Sequence, residues 1–219
     1  MRNPTRRKTI AALISLAAPC GALSQTVQYT TVDVAGRVSI TVPSHWRVRD
    51  ASERQNIAAS ADALFNPSGK PSEPVHVSSL SVVSTPDPPQ AIIRVSFVSE
   101  PGSQAELRSD LARGKAAAIA ELSAGWQEEV KALSDVLAKQ GMRYLGHERF
   151  DFQAFGSKTA ILISYKRTSA RGGSPFVVTQ YHVPMGQDKV LVTLSLQESA
   201  ASLLGPVLDR VKNSILIRR

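Results

Sequence analysis

The stretch from Ser174 to Ile215, SPFVVTQYHVPMGQDKVLVTLSLQESAASLLGPVLDRVKNSI, decides the fold that the sequence predicts. Its first part contains two runs rich in β-branched residues, separated at Gly186, and this order is typical of a β-hairpin. Its last part repeats apolar residues at helical spacing, at Leu204, Leu208, Val211 and Ile215. Because Pro206 falls inside the helical pattern, we expect a kink or an early first turn there.

Strand patterns also fill the N-terminal half of the chain. Residues 27–48, VQYTTVDVAGRVSITVPSHWRV, alternate apolar and polar side chains around Gly36, so they predict a hairpin with Trp46 as a core anchor. Residues 75–84 and 90–100 predict two more strands, which the proline-rich segment TPDPPQ connects.

Two further strands, one short helix and one loop are predicted elsewhere in the chain. The strands are predicted at residues 142–154 and 158–168, with a turn between them. The first half of residues 50–74 predicts a short helix capped by Asp50 or Ser52, and the second half, rich in Pro and Gly, predicts a loop.

A long helical region is predicted between residues 104 and 139. One face carries apolar residues at spacings of three, four and seven, at Leu107, Leu111, Ala118, Leu122, Trp126, Val130, Leu133 and Leu137. Gly114 and Gly125 are expected to bend or split the helix, and Gly141 to end it. The apolar stripe packs on the sheet of its own domain in one interpretation, and on a partner helix in the other.

These elements together predict an α+β fold, with an antiparallel sheet, a long central helix region and a C-terminal helix. The strands from Lys158 onward carry apolar residues at successive positions, as in Ala160-Ile161-Leu162-Ile163. Both faces of such strands are expected to be covered, so we predict a three-layer arrangement.

The first 24 residues have the composition of a secretory signal peptide. Arg2, Arg6, Arg7 and Lys8 precede an uncharged apolar run from Ile10 to Ala18. That run is about half of the ~20 residues that a membrane span needs, so no stable span is expected after cleavage. The predicted cut follows Ala22-Leu23-Ser24, and residues 25–219 then form a single domain in the periplasm or outside the cell.

Two other export signals were weighed against the general secretory route. Cys20 follows the apolar run, as in lipoprotein signals, but Pro19 stands where those signals need Gly, Ala or Ser. Arg6-Arg7 is compatible with a twin-arginine signal, although basic leaders often contain paired arginines. The choice between the general and the twin-arginine route stays open.

The charge that remains after cleavage is modest. The leader holds four of the 26 Lys and Arg and none of the 18 Asp and Glu, so 22 cations against 18 anions leave a formal net charge of +4. The cations are scattered and only 5% of the residues are aromatic, which disfavours nucleic-acid binding. Since the one Cys lies in the leader, no disulfide is expected in the mature chain.

Motifs for catalysis and metal binding are missing from the sequence. The four histidines, at positions 45, 76, 147 and 182, lie far apart, and the chain contains neither G-x-S-x-G nor H-E-x-x-H. We interpret His182 as a structural residue on the strand face opposite Tyr181, and a nucleophile system with Ser195 or Asp188 is the alternative. No cofactor and no metal site is predicted.

The segments GRVSITVPSHW (residues 36–46), KTAILISYKR (158–167) and PFVVTQYHVPMGQDKVLVTLSLQES (175–199), with the final helix, resemble the PsbP-like family. That family includes the extrinsic P subunit of photosystem II, the Ran-binding Mog protein and bacterial DcrB-like domains. The resemblance implies an α/β/α sandwich. It also implies a role in binding and assembly rather than catalysis, with no family catalytic residue to transfer.

The leading hypothesis is therefore an exported, non-enzymatic accessory protein of the bacterial envelope that binds an envelope or secretion-associated protein. A periplasmic carrier of a small apolar ligand is the first alternative, and a hydrolase with a spatially assembled site is the second. A cavity between the long helix and the sheet favours the carrier. The predicted binding surface consists of cations and one aromatic residue near a mobile turn, namely Arg143, Arg149, Tyr165, Lys166, Arg167 and Arg171.

Overall fold

The computed structural model describes residues 27–65 and 78–218. The predicted leader and its cleavage site at Ser24 lie outside the described residues, as do most of the loop predicted up to residue 74 and His76, in the strand predicted at 75–84. Two sheets and three α-helices form the described chain.

The predicted N-terminal hairpin is confirmed, and it belongs to a small sheet of its own. Strands β1 (Tyr29–Val34) and β2 (Val38–Pro43) pair antiparallel, and β10 (Leu216–Ile217) pairs with the other edge of β2. In the turn, Asp33 Oδ1 accepts a hydrogen bond of 2.6 Å from the backbone N–H of Gly36, whose positive φ of 69° suits glycine. Trp46 is buried, as its predicted role requires.

The second sheet has seven strands and is antiparallel throughout, in the order β3-β4-β5-β9-β8-β7-β6. Its strands are β3 (Arg47–Val48), β4 (Leu80–Val83), β5 (Ala91–Val98), β6 (Tyr144–Phe155), β7 (Lys158–Arg167), β8 (Phe176–Pro184) and β9 (Lys189–Gln197). The later strands match the predicted ranges within a few residues, whereas the strand predicted at 75–84 is described only from Leu80 to Val83.

Helix α1 (Ala51–Phe65) and helix α2 (Gln104–Lys139) both begin at side-chain caps. The backbone N–H of Glu53 donates to Asp50 Oδ1 at 2.8 Å. Of the two predicted caps, Asp50 and Ser52, it is therefore Asp50 that caps α1. In α2, Ser103 and Glu106 form a reciprocal capping box.

The long helix α2 is bent at Gly114, as predicted, but the expected bend at Gly125 is wrong. Gly114 has non-helical dihedral angles of φ 137° and ψ 116°, while the helix continues without a break through Gly125. At its end, Gly141 has a φ of 70°, and the N–H groups of Gly141 and Met142 donate to the carbonyls of Ala138 and Leu137. This pair of bonds is a Schellman motif, so the predicted stop is confirmed.

Helix α3 (Ala201–Asn213) follows a single 3-10 turn at Glu198–Ala200. Pro206 is its sixth residue, so the helix starts before the proline and not at it. The expected early first turn at Pro206 is therefore wrong, because the 3-10 turn and the residues after it already begin the helix. Pro206 leaves the carbonyl of Ser202 without its usual intrahelical donor.

Two apolar clusters on opposite faces of the seven-stranded sheet produce the predicted layers. The larger cluster joins one face to α3 and to the small sheet, through Ile40, Trp46, Val211 and Ile215. The smaller cluster joins the other face to α2, through Trp126. None of the helices in the described part of the chain is long and apolar enough to cross a membrane.

Candidate functional site

The face of the seven-stranded sheet that α2 covers, here called the helix side, contains an apolar groove. The groove has a volume of about 370 Å³ and lies between α2 and strands β6 and β7. Its apolar lining consists of Leu107, Leu122, Trp126, Phe152, Ile161 and Ile163. Of these, Leu122 and Ile161 are only half-buried, so the helix does not seal the sheet beneath it.

The rim of the groove is acidic. Asp110, Glu121 and Glu129 line it from α2, and only Asp110 has an ion-pair partner among the described residues, the neighbouring Arg113. The apolar floor suits an uncharged hydrocarbon surface, while the carboxylates at the rim repel an anionic headgroup. The groove therefore fits a neutral apolar molecule.

A hydrogen-bond chain starts at Trp126, which lines the groove. The indole Nε1 of Trp126 donates to the phenol oxygen of Tyr144 at 3.1 Å, and the Tyr144 hydroxyl donates to the Glu148 carboxylate. Burial, together with the hydrogen bond to Glu148, raises the pKa of Tyr144 to about 12. Trp126 also packs against Tyr165 and Phe150, with ring centroids 5.8 and 6.1 Å away, so aromatic contacts hold the indole in place.

A second feature of the helix side is an arginine cluster, formed by Arg49, Arg94 and Arg167. Arg94 lies in β5, directly opposite Ser81 of β4 and Thr193 of β9. Arg49 follows β3, and its N–H donates to the Ser81 carbonyl at 2.8 Å. Arg167 ends β7, stacks on Phe176 with its guanidinium carbon 4.9 Å from the ring centroid, and donates to Met142 Sδ and the Thr168 carbonyl.

The pKa of each of the three guanidinium groups is lowered, in every case chiefly by burial. Burial, followed by repulsion from Arg49 and Arg167, lowers the pKa of Arg94 below its ordinary value. Burial, followed by repulsion from Arg47, lowers the pKa of Arg49. Because an arginine ordinarily titrates above about pH 12, all of these groups stay charged at neutral pH. The helix side thus combines an apolar groove with a separate concentration of positive charge.

The structure does not bring the six predicted binding residues onto one face. Tyr165 is buried in the apolar cluster beside Trp126, and Arg167 lies on the same helix side. Lys166 alternates to the opposite face, where it forms an ion pair of 2.6 Å with Glu198.

The other three predicted binding residues are exposed. Arg171, at the β7–β8 connection, forms an ion pair of 3.0 Å with Asp87, and Arg149 lies 3.3 Å from Asp151. Arg143 precedes β6, and its backbone N–H is bonded to Thr168 Oγ1 at 2.8 Å. Its guanidinium has no hydrogen bond or ion pair within the described ranges.

His182 lies on the helix side, on the face opposite Tyr181, as predicted. Its Nε2 is 3.3 Å from Gln180 Oε1. Asp188 is paired with Arg37 at 2.6 Å, and no hydrogen bond between described residues links a histidine to Ser or Asp. Within the same residues, no three His, Cys, Asp or Glu lie close enough together to hold a metal ion.

The sequence-based prediction missed Arg49 and Arg94. The segment AIIRVSF contains the signal, because an arginine in the middle of an apolar strand is unusual and strand alternation places it with Ile92 and Ser96. Neither residue lies near the others in the sequence, so only the sheet order shows that Arg94 and Arg49 are neighbours.

No family model and no curated protein matches the chain. Solved structures do match it. The solution structure of cyanobacterial PsbP (CyanoP) from Synechocystis sp. PCC 6803 is 12% identical, with a TM-score of 0.52, and the match covers 92% of this chain and 99% of that one.

Other solved structures match at lower TM-scores. The Saccharomyces cerevisiae Ran-binding protein Mog1p is 13% identical with a TM-score of 0.41, covering 88% of this chain and 96% of that one. LpqN of Mycobacterium tuberculosis, described as involved in cell envelope biogenesis, is 14% identical with a TM-score of 0.42, covering 88% and 92%. A structure from Bacteroides thetaiotaomicron also matches, but the chain spans only 47% of its length. At the level of the fold, this chain resembles the PsbP-like proteins, as its sequence predicts.

Proposed function

We propose that this chain is an exported, non-enzymatic binding protein of the bacterial envelope, and that its groove carries a small neutral apolar molecule. The groove between α2 and the sheet supports this proposal. Its volume of about 370 Å³ lies within the ~300–1,000 Å³ that is usual for small-molecule sites. Export to the periplasm rests on the leader predicted for residues 1–24.

The chemistry of the groove favours binding over catalysis. Its walls are supplied by apolar side chains such as Leu122 and Ile161, and its acidic groups lie at the rim, where Glu121 and Glu129 are exposed. An apolar occupant replaces water against these walls, which contributes about 25 cal/mol for each Å² of apolar surface that becomes buried. A neutral ligand avoids the repulsion that the rim exerts on a carboxylate.

The proposal can be tested with N-phenyl-1-naphthylamine, a neutral apolar probe whose fluorescence rises on transfer out of water. Gly125 lines the groove, and a Cβ added there meets no other atom within 4 Å. We therefore expect Gly125→Leu to fill part of the groove. We expect this variant to bind the probe at least about tenfold more weakly than the unsubstituted protein.

Ala124→Leu is the matched control, since Ala124 is the preceding helical residue, is exposed and does not line the groove. It adds the same side chain to the same helix and is expected to leave probe affinity unchanged. Equal affinities in the two variants, or no probe binding by the unsubstituted protein, contradict the proposal.

A second candidate function is that of an accessory protein which binds an envelope or secretion-associated protein through its cations. The observation in its favour is that Arg143 is exposed and lacks an ion pair among the described residues. Arg171 and Arg149 are also exposed, whereas Tyr165, Lys166 and Arg167 are more buried. An acidic partner surface is the complementary chemistry.

Crosslinking and affinity capture from the periplasm test the second candidate. We expect the double variant Arg143→Glu, Arg171→Glu to lose a partner that the unsubstituted protein captures. Arg113→Glu is the control, because Arg113 is an exposed cation of α2. The same partners recovered with all three proteins argue against this surface.

A further inference from the structure

The arginine cluster lies among polar groups that have no partner. Ser81 Oγ is buried, with the residue only 1% exposed, and forms no hydrogen bond. It lies opposite Arg94, whose guanidinium forms no hydrogen bond or ion pair with any described residue. Opposed residues of neighbouring strands have Cβ atoms about 5 Å apart, so the two side chains occupy one small region.

A third unsatisfied donor is connected to the same region. Arg54 donates through Nη1 to the Arg49 carbonyl at 2.7 Å, while its Nε is buried and has no partner. The Arg49 N–H in turn donates to the Ser81 carbonyl. Buried polar groups are paired in the great majority of folded proteins, so several orphaned donors side by side need an explanation.

The carboxylates nearest to the cluster are already engaged. Arg49 is influenced by the charges of Glu53 and Asp87. Glu53 is paired with Arg47, however, and Asp87 with Arg171. For Arg94, no carboxylate among the described residues contributes to its environment, and the charges that act on it most are those of Arg49 and Arg167. The cluster therefore has an excess of positive charge and too few acceptors.

We propose that Arg94, Arg49 and Ser81 form the centre of a binding site for a phosphate-type oxyanion, with Arg167 at its edge. A phosphate presents several acceptor oxygens and up to two negative charges, which match planar guanidinium donors in bidentate geometry. Arg94 is largely buried but keeps part of its surface exposed, and the proposal requires that an ion reach the guanidinium through this exposed part. The inference does not depend on the groove or on the identity of its occupant.

A buried charge without a partner destabilises a folded protein, so the proposal predicts a specific change in melting temperature. Arg94→Met removes the charge and keeps much of the side-chain length. In chloride buffer without phosphate, we expect this variant to have a higher melting temperature than the unsubstituted protein. An arginine with a purely structural role predicts the opposite, because its removal would lower the melting temperature.

The second measurement is phosphate binding to the purified protein, by titration calorimetry with sodium phosphate at constant ionic strength and pH 7.5. We expect Arg94→Met to weaken phosphate binding at least about tenfold, with sulfate following phosphate and acetate having little effect. Arg113→Met, which removes one exposed cation of α2, is expected to behave as the unsubstituted protein does.

Two results overturn the proposal. One is equal phosphate affinity in Arg94→Met and Arg113→Met, and the other is a lower melting temperature of Arg94→Met in phosphate-free buffer. Should Arg94→Met fail to fold, Arg94→Lys keeps the charge but loses the bidentate fork, and unchanged phosphate affinity in that variant also overturns it.

Glycerol 3-phosphate distinguishes between two sources of the same chemistry. Tighter binding of inorganic phosphate points to the free anion, whereas tighter binding of glycerol 3-phosphate points to the phosphoester of a larger molecule. The probe used to test the groove carries no phosphate, so failure of the groove proposal and failure of the oxyanion proposal are separate results.

Discussion

Trp126 and Tyr144 connect the long helix α2 to the edge strand β6 through a hydrogen bond of 3.1 Å from the indole Nε1 to the phenol oxygen. The same phenol donates to Glu148, so Tyr144 acts as acceptor and donor at once, a dual role that only its protonated form can have. Ionisation of Tyr144 is therefore expected to weaken the contact between α2 and β6, because it removes the proton that the phenol donates to Glu148.

The first prediction is that Tyr144 makes stability depend on alkaline pH. Burial and the Glu148 hydrogen bond raise the pKa of Tyr144 from 10.0 to about 12 in the folded protein. The protonated phenol is therefore favoured by folding. Its stabilisation is fully present below pH 10.0 and is lost as the pH rises through about 12. We expect Tyr144→Phe to lower the free energy of unfolding at pH 8 and to flatten its decline above pH 10.

Urea unfolding at intervals between pH 8 and pH 12 measures this effect. Burial also raises the pKa of Tyr181, which lies on the other face of the sheet, so Tyr181→Phe is the matched control. If the two variants change the alkaline decline by the same amount, the hydrogen-bond chain at Tyr144 has no special role.

The second prediction contrasts two glycines of the same helix. Gly114 has a φ of 137°, which side chains rarely adopt, so Gly114→Ala is expected to destabilise the protein by more than about 1 kcal/mol. Gly125 has helical dihedral angles and open space at its Cβ position, so Gly125→Ala is expected to stabilise by about 0.5–1 kcal/mol. For a domain of this size, thermal unfolding should then show midpoint shifts of about 2–4 °C per kcal/mol.

The opposite signs are the essential result. Two stabilising substitutions would mean that α2 straightens at Gly114 without cost. Two destabilising substitutions would mean that space near Gly125 is tighter than the absence of neighbours within 4 Å implies.

Much of the fold is predictable from the sequence, because periodicity, caps and turns are local signals. The alternating apolar residues around Gly36 lie in a hairpin, and Gly141 ends α2 with a positive φ. The pairing of that hairpin with residues 216 and 217 in a separate sheet was not predicted, because it joins segments more than 170 residues apart. Only tertiary packing brings such segments together.

The candidate site was less predictable than the fold. Tyr165, Lys166 and Arg167 are adjacent in the sequence and suggest one binding patch. Strand alternation, however, places Lys166 on the other face of the sheet. Arg49 and Arg94 are 45 positions apart and meet only because β3, β4 and β5 are neighbours in the sheet. Charge density along the sequence is therefore a poor guide to charge density on a sheet.

The third prediction concerns Gln104, whose side-chain amide forms hydrogen bonds with backbone groups of two strands. Its Oε1 accepts from the Thr159 N–H at 2.8 Å, and its Nε2 donates to the carbonyls of Thr159 at 2.9 Å and Pro184 at 3.2 Å. These bonds attach the start of α2 to the start of β7 and to the last residue of β8. At about 0.5–1.5 kcal/mol for each of the three net hydrogen bonds, Gln104→Ala should cost about 1.5–4.5 kcal/mol in chemical unfolding.

Gln127→Ala removes the same side chain from an exposed position of α2 and should be near neutral. Gln104→Glu adds a sharper test, because its carboxylate would face two carbonyl oxygens. We expect the destabilisation of that variant, relative to the unsubstituted protein at the same pH, to be larger at pH 7 than at pH 4.5. An equal destabilisation at the two pH values would argue against the close contact with Thr159 and Pro184.

The last prediction assigns part of the acid sensitivity to His182. Burial, assisted by the charge of Lys189, lowers the pKa of His182 from 6.5 to about 4, so folding favours the neutral imidazole. Its stabilisation is fully present above pH 6.5 and is lost as the pH falls through about 4. We expect His182→Gln, which retains a donor for Gln180, to flatten the loss of stability between pH 6.5 and pH 4.

Urea unfolding at pH 7, 5.5 and 4 separates this histidine from the carboxylates. The hydrogen bond from Arg37 lowers the pKa of Asp188 below 3.8, so the stabilisation from that pair is lost only in more acidic solution. Asp188→Asn should therefore reduce stability at pH 7 while leaving its slope between pH 6.5 and pH 4 unchanged. If His182→Gln and the unsubstituted protein lose stability in parallel over that range, protonation of His182 does not limit the acid stability of the fold.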